Sequence, residues 1–245
     1  MAPICLVTGE RSTRVRTLVV AKRHSLVYRS PRPQACIAIP TSLSGLRSTC
    51  GTKAPRGELV TMTKLDPHQC ILFSGGLKGS EACFGATAER YGIEEVTFTF
   101  EGHQVERQRG LRVLTHEELQ KGDVSLAYVS KLMHRRYPET DYFKKVLQTI
   151  WYQVNSAQQV FVVGTILPDG TVKGGTGWGA EFAKLCNKPL FVFDQARNHW
   201  FQWSNELWVE ALPQISHHHF CGTGTRYLEP NGRQAIEELF ARSFA

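Results

Sequence analysis

Apolar residues in the last three quarters of the chain come in short blocks separated by glycine-rich turns. Cys70-Ile-Leu-Phe73 is one such block, stopped by Ser74-Gly75-Gly76, and it predicts a strand running into a glycine turn. Over 80–91, Ala82, Cys83, Ala86 and Tyr91 fall near one face, and Gly92 follows as a C-cap, which predicts a helix. Val96-Thr-Phe-Thr-Phe100 has the β-branched and aromatic content of a second strand, so the segment reads as a βαβ unit. The polar stretch 101–140 predicts a short strand at 111–114 and a helix over 123–134. Phe143, Val146, Leu147, Ile150, Trp151 and Val154 follow helical spacing and predict a helix over 140–157.

Val160-Phe-Val-Val163 and Leu190-Phe-Val-Phe193 are unbroken apolar runs, the pattern of strands covered on both faces. Between them a helix over 178–187 follows Gly174-Gly175-Thr176-Gly177 and is closed by Pro189. Trp200-Phe-Gln-Trp203 and Leu207-Trp-Val209 read as an aromatic hairpin. A last strand from Phe220 leads through Gly222-Thr-Gly-Thr-Arg226 and Pro-Asn-Gly into a helix over 231–242. This alternation predicts an α/β, Rossmann-like open sheet, mostly parallel, with helices on both faces.

Charge divides the chain. Of its 29 Lys and Arg and 22 Asp and Glu, residues 1–61 hold ten basic and two acidic groups. Residues 62–245, read as the folded domain, therefore hold 19 basic and 20 acidic ones. The 1–61 arm is rich in Ser and Arg, lacks apolar periodicity and is expected to be disordered. Its composition fits a transit peptide for chloroplast or mitochondrion. A basic tail, or translation upstream of a true start at Met62, fits the same facts, and either leaves the protein cytoplasmic. The near-neutral domain disfavours a nucleic-acid partner. No run approaches the ~18 apolar residues of a membrane-spanning helix. Seven cysteines without a C-x-x-C pair make a disulfide framework or zinc knuckle a poor fit.

Ligands of open α/β sheets bind beyond the carboxyl ends of the strands. Three loops there carry glycines and hydroxyls: Ser74-Gly75-Gly76 with Gly79, Gly174-Gly175-Thr176-Gly177 after Gly164, and Gly222-Thr223-Gly224-Thr225. Glycine lets backbone N–H groups approach an anion, and a helix N-terminus adds partial positive charge. Tight βα packing alone also favours glycine. Neither the P-loop pattern nor G-x-G-x-x-G is present, which disfavours a generic dinucleotide enzyme. The expected partner is a nucleotide-like small molecule, with no cofactor called for and a homo-oligomer left open. Arg226 is a candidate phosphate clamp or a surface ion pair. Asp194 suits a ribose hydroxyl or a cap, and Glu81 a helix N-terminus. His217-His218-His219 with Cys221 is set aside as a metal site, because successive side chains of an extended segment diverge. Trp200, Trp203 and Trp208 fit hairpin core better than a base-stacking platform.

Gly174-Gly175-x-Gly177-x-x-x-Glu181 resembles the GGxGTxxE signature of the Lonely Guy phosphoribohydrolases, with Trp178 in place of the usual Thr. Ile71 to Gly76 and the helix after it resemble the SGGxxG(A/S) segment of the DNA-processing Smf proteins. Both families belong to the SLOG superfamily of Rossmann-like domains. Gly222-Thr-Gly-Thr-Arg226 with Gly232 resembles the G(S/T)R…G motif that opens the Smf domains. Here it comes last, so the resemblance, over 69–245, implies a circularly permuted SLOG domain. Met133-His134-Arg135-Arg136 is similar to the MHxR(K) sequence of the Lonely Guy enzymes. The resemblance implies a nucleotide-derived ligand, and Glu181 as a catalytic carboxylate stabilising an oxocarbenium-like ribosyl centre. A carboxylate simply well placed at a helix N-terminus is the alternative for Glu181. A nucleoside-monophosphate phosphoribohydrolase and a DNA-binding module remain the two alternatives to simple ligand binding.

Overall fold

Every residue of strand β4 (Gln159–Gly164) and strand β5 (Leu190–Asp194) is buried in the computed structural model, which describes residues 64–245. The basic arm of 1–61 and the alternative start at Met62 lie outside the described residues. Both strands alternate between two apolar layers, which is why their sequences are apolar without a break. Val160, Val162, Leu190 and Val192 face one layer, and Phe161, Val163, Phe191 and Phe193 the other. Helices α2 (His116–Gln120), α3 (Asp123–Leu132), α4 (Asp141–Ser156) and α5 (Thr176–Leu185) cover the first face. Helices α1 (Ser80–Arg90) and α6 (Pro230–Phe244) cover the second.

The remaining strands are β1 (Ile71–Ser74), β2 (Glu94–Phe100), β3 (Leu111–Leu114), β6 (His199–Ser204), β7 (Leu207–Glu210) and β8 (His219–Gly224). They form one eight-stranded sheet in the order β3-β2-β1-β8-β4-β5-β6-β7. Pairing is parallel from β3 through β5, and β6 and β7 add antiparallel. The protein therefore has the α/β, Rossmann-like sheet that its hydrophobic pattern predicts. From β1 the chain steps through α1 to β2 on one side, and from β4 through α5 to β5 on the other. These opposite departures open a crevice at the carboxyl ends of the central strands, and β8 runs between them.

Strand and helix ends differ from the sequence expectations by one or two residues, apart from one omission. Helix α2 escapes a reading by periodicity because it has only five residues. Its signal is a capping box: Thr115 Oγ1 accepts from Glu118 N, and the Glu118 carboxylate accepts from Thr115 N. The aromatic hairpin turns through Asn205 and Glu206, both at positive φ, as a two-residue loop requires. Trp200 is buried on the α1/α6 face, while Trp203 and Trp208 meet edge to face at 5.0 Å beneath Lys184. Among the described residues no helix is long and apolar enough to cross a membrane.

Gly222, in the middle of β8, packs directly against α1. A Cβ there would stand 2.5 Å from the Phe84 ring, which is itself fully buried. Gly222→Ala is expected to lower the unfolding free energy by about 1–3 kcal/mol through overpacking. Urea denaturation of the two proteins, with unchanged slope and lower midpoint for the variant, checks this.

Candidate functional site

Loops leave the carboxyl ends of β1, β4 and β8 side by side, and hydrogen bonds tie them together. Ser80 N and Oγ both donate to Thr225 O, at 3.0 and 2.8 Å, joining the first loop to the third. Thr225 N donates to Val163 O at 2.8 Å, joining the third to the end of β4. Gln195 completes the frame: its N–H donates to Gly164 O, its Oε1 accepts from Glu229 N, and its Nε2 donates to Tyr227 O. Gly79 permits a close crossing of the first and third loops. A Cβ at its φ of 97° would lie 2.6 Å from backbone atoms of Thr225 and Arg226.

The loops enclose a cavity of about 390 Å³. Of the residues singled out from sequence, Gly164, Gly174, Gly175, Thr176, Thr223, Thr225 and Arg226 line it. The structure thus brings part of each of the three predicted loops to a common space, the first through Leu77 and Lys78 between its glycines. The other candidates stand behind the wall. Ser74 is fully buried, its Oγ accepting from Gly76 N at 3.3 Å. Gly76 O accepts from Glu106 N and Arg107 N, which anchors the first loop to the segment before β3. Gly75 and Gly79 shape that loop from behind the lining. Gly177 packs against Val172 O, and Gly222 against Phe84.

Glu181 also lies off the cavity. Its carboxylate pairs with Lys184 at 3.1 Å, while Lys184 donates to Gly170 O and sits 3.8 Å from the Trp203 ring centre. This group fastens α5 to the 167–170 turn and the aromatic hairpin. Asp194 is similarly occupied, accepting from the N–H groups of Ile166, Ala196 and Arg197. Of the Met133–Arg136 sequence, Arg135 reaches the glycine loop, donating to Gly174 O, Val172 O and Thr171 Oγ1. It braces the loop through its carbonyls, so its cationic end is already engaged. Arg136 pairs with Glu139 at the surface. The His219 ring packs edge-on against Phe73.

A buried carboxylate that does line the cavity is Glu81, in the first turn of α1 and only 3% exposed. Its Oε1 accepts from Thr223 Oγ1 at 2.7 Å and its Oε2 from Leu77 N at 2.9 Å. Burial pushes its pKa up to about 7, against the lowering effect of those two donors. Lys78, Lys173 and Arg226 line the same space, as do Thr165 and Glu229. An apolar face of α4, formed by Phe143, Val146, Leu147 and Ile150, also lines the cavity. Sequence reasoning placed these four on a core-facing stripe; the same stripe covers the cavity where α4 extends past the strand ends. Lys78 and Lys173 carried no motif. A cation beside each glycine turn was the signal available for them.

No protein-family model matches the chain, and no curated protein matches it. The crystal structure of a proposed molybdenum carrier protein from Syntrophus aciditrophicus is similar in part, with 18% identity and a TM-score of 0.43. The match covers 71% of this chain and 94% of that one. A likeness of this degree says nothing about ligand or activity.

Glu81 makes stability depend on pH. Its carboxyl has an ordinary value of 4.5 in the unfolded chain and about 7 in the fold, so between these the native state holds a proton that the unfolded state has lost. The contribution is therefore fully present below pH 4.5 and lost as pH rises through about 7, up to about 3 kcal/mol. Glu81→Gln, whose amide can serve Thr223 and Leu77 without charge, is expected to remove that slope. Denaturant unfolding across this pH range should show the variant gaining on the wild type towards neutral pH and holding its gain above it.

Proposed function

We propose that the cavity binds a nucleotide or a nucleotide-derived phosphorylated ligand. The observation that carries this reading is the presence of two unlike surfaces in the lining of one cavity. One has the loop glycines, the hydroxyls of Thr165, Thr176 and Thr225, and the cations Lys78, Lys173 and Arg226. The other is the apolar α4 face ending in the half-exposed ring of Phe143. The first suits a phosphate, through backbone N–H groups, the α5 N-terminus and charge. The second suits the flat, weakly polar body of a base. The place of the crevice, at the switch between β1 and β4, is where open α/β sheets hold such ligands.

Membership of the SLOG superfamily in permuted form belongs to the same proposal. It is supported by the place of β8: the last strand of the chain, with the Gly222–Arg226 sequence at its end, is central in the sheet. The phosphoribohydrolase alternative loses its named carboxylate, since Glu181 is bonded to Lys184 away from the cavity. Binding is accordingly the leading reading, and base release is an outcome of its test.

The reading predicts that AMP raises the melting temperature of the protein. At a hundred times its dissociation constant the gain is about 2.7 kcal/mol, or roughly 5–10 °C for a domain of this size. Arg226→Ala and Lys173→Ala are each expected to weaken AMP binding about tenfold, by loss of a charged contact, and Glu181→Gln to leave it unchanged. A panel of nucleoside monophosphates and ADP-ribose derivatives, none of which shifts the melting temperature, would refute the reading. Free base appearing in the AMP incubation would restore the hydrolase.

A further inference from the structure

We propose that the cavity takes up its anionic ligand together with a proton, held on Glu81, and that Thr223 then turns its own hydroxyl proton from Glu81 to the ligand. This rests on the reading of the cavity as a site for a phosphorylated ligand and adds to it the residue that sets its affinity.

The geometry begins with an acid in an unexpected place. Glu81 lines a space that is otherwise furnished for anions, and among the described residues no Lys or Arg pairs with it. The groups that face it come from three elements. Leu77 N, from the first loop, donates to Oε2, and Thr223 Oγ1, from β8, donates to Oε1. From α4, Gln153 Nε2 and Glu81 Oε2 both lie within 3 Å of the point a Cβ on Gly75 would occupy, and Gln153 Oε1 is buried without a partner. Cys221 of β8 also feels the Glu81 charge, but burial pushes its thiol up and keeps it neutral. Lys78, Lys173 and Arg226 line the cavity, opposed by Glu229 at an exposed position. The lining thus offers three cations against two carboxylates when Glu81 is ionised, and against one when it is protonated.

An anionic ligand brings further negative charge next to a buried carboxylate, where screening is weak, and so favours its protonation. The hydrogen bonds accommodate this without moving a heavy atom. A threonine hydroxyl has one proton to give and two lone pairs to receive. While Glu81 is ionised, Thr223 spends its proton on Oε1 and offers the cavity only lone pairs, which repel phosphate oxygens. Once Oε1 carries a proton it donates to Thr223 Oγ1 over the same 2.7 Å, and the Thr223 proton is free to donate to the ligand. Oε2 accepts from Leu77 N in both states, so the loop between β1 and α1 does not change. The proton comes from solvent, and no covalent bond in the ligand is altered. The raised titration of Glu81 supports the scheme by placing the exchange near neutral pH.

The test uses the full chain and AMP as the probe, with inorganic phosphate in parallel. Calorimetry at about pH 8, in buffers of different ionisation enthalpy, is expected to show close to one proton taken up per AMP bound. Affinity should fall by about tenfold per pH unit above about pH 7.5. The phosphate group itself titrates near pH 6, so variants assign the proton. Glu81→Gln should bind AMP with neither uptake nor slope. Thr223→Ser should keep both, and Thr223→Val should lose the uptake and bind more weakly, because its Glu81 stays protonated without a donor to Oε1. If Glu81→Gln does not fold, the Thr223 pair decides. AMP binding without proton uptake, or uptake that persists in Glu81→Gln, overturns the proposal and leaves the nucleotide reading standing. If neither AMP nor phosphate binds at any pH between about 5.5 and about 8.5, that reading falls and the proposal with it.

Discussion

Strand β8 is hydrogen-bonded on one side to β1, some 150 residues earlier, and on the other to β4, and the arrangement of the cavity depends on this insertion. Without it the loops after β1 and β4 would be separated by an unfilled slot in the sheet. With it, the third loop stands between them and bonds to both, through Ser80 on one side and Val163 on the other. The cost is close packing. Gly222 has no room for a side chain beneath Phe84, and Gly79 none beside Arg226. Two of the glycines that suggested a ligand are thus needed first for assembly. Assembly is what brings Thr223, Thr225 and Arg226 to the cavity at all.

The same insertion creates the cavity's electrostatic character. Glu81 and Thr223 are 142 residues apart in sequence and meet only because β8 lies beside β1. Their contact buries a carboxylate whose two oxygens each keep one hydrogen bond to the protein, which offsets part of the desolvation cost but not the charge. The cations are elsewhere on the lining, on three separate loops. An acid at the floor with cations distributed around it leaves the protonation state of the floor responsive to whatever charge enters. Glu81 differs in this from the equally buried Glu95, which is paired with Arg107 at 2.6 Å beneath α1.

The fold was legible because its strands are covered on both faces: Val160–Val163 and Leu190–Phe193 permit few alternatives to buried parallel strands. The helices on either face were legible from spacing, and α2 was lost only because a single turn has no period. The site was legible in part, for a physical reason. Glycine turns at strand ends announce themselves locally, so Gly174–Thr176 and Thr223–Arg226 were readable as candidates. Which side of each turn faces the cavity is set by contacts from distant segments. Gly177 was claimed by Val172, Gly222 by Phe84, and Glu181 by a lysine one turn along its own helix. Conversely, Glu81 looked like an ordinary residue of a first helical turn, and nothing local reveals that it is buried. The α4 stripe has the same spacing whether it meets the sheet or spans a cavity, so Phe143 could not be told from Val154.

Charge bears on the proposal of a small ligand over a polymer. A nucleic acid presents many phosphates in a row, and affinity for it comes from a stripe of cations that neutralise several at once. Residues 62–245 hold 19 basic and 20 acidic groups, and many of the basic ones are already engaged. Arg107 and Arg112 are in ion pairs, Arg135 is spent on the carbonyls of the glycine loop, and Lys188 on those at the end of α4. What the cavity offers is a local cluster of Lys78, Lys173 and Arg226 around a bounded volume with an apolar wall on one side. Such a cluster holds one anionic group well, and its range is limited by screening to about 8–10 Å at ordinary salt. The proposed ligand, with one charged end and one flat apolar end, fits such a space.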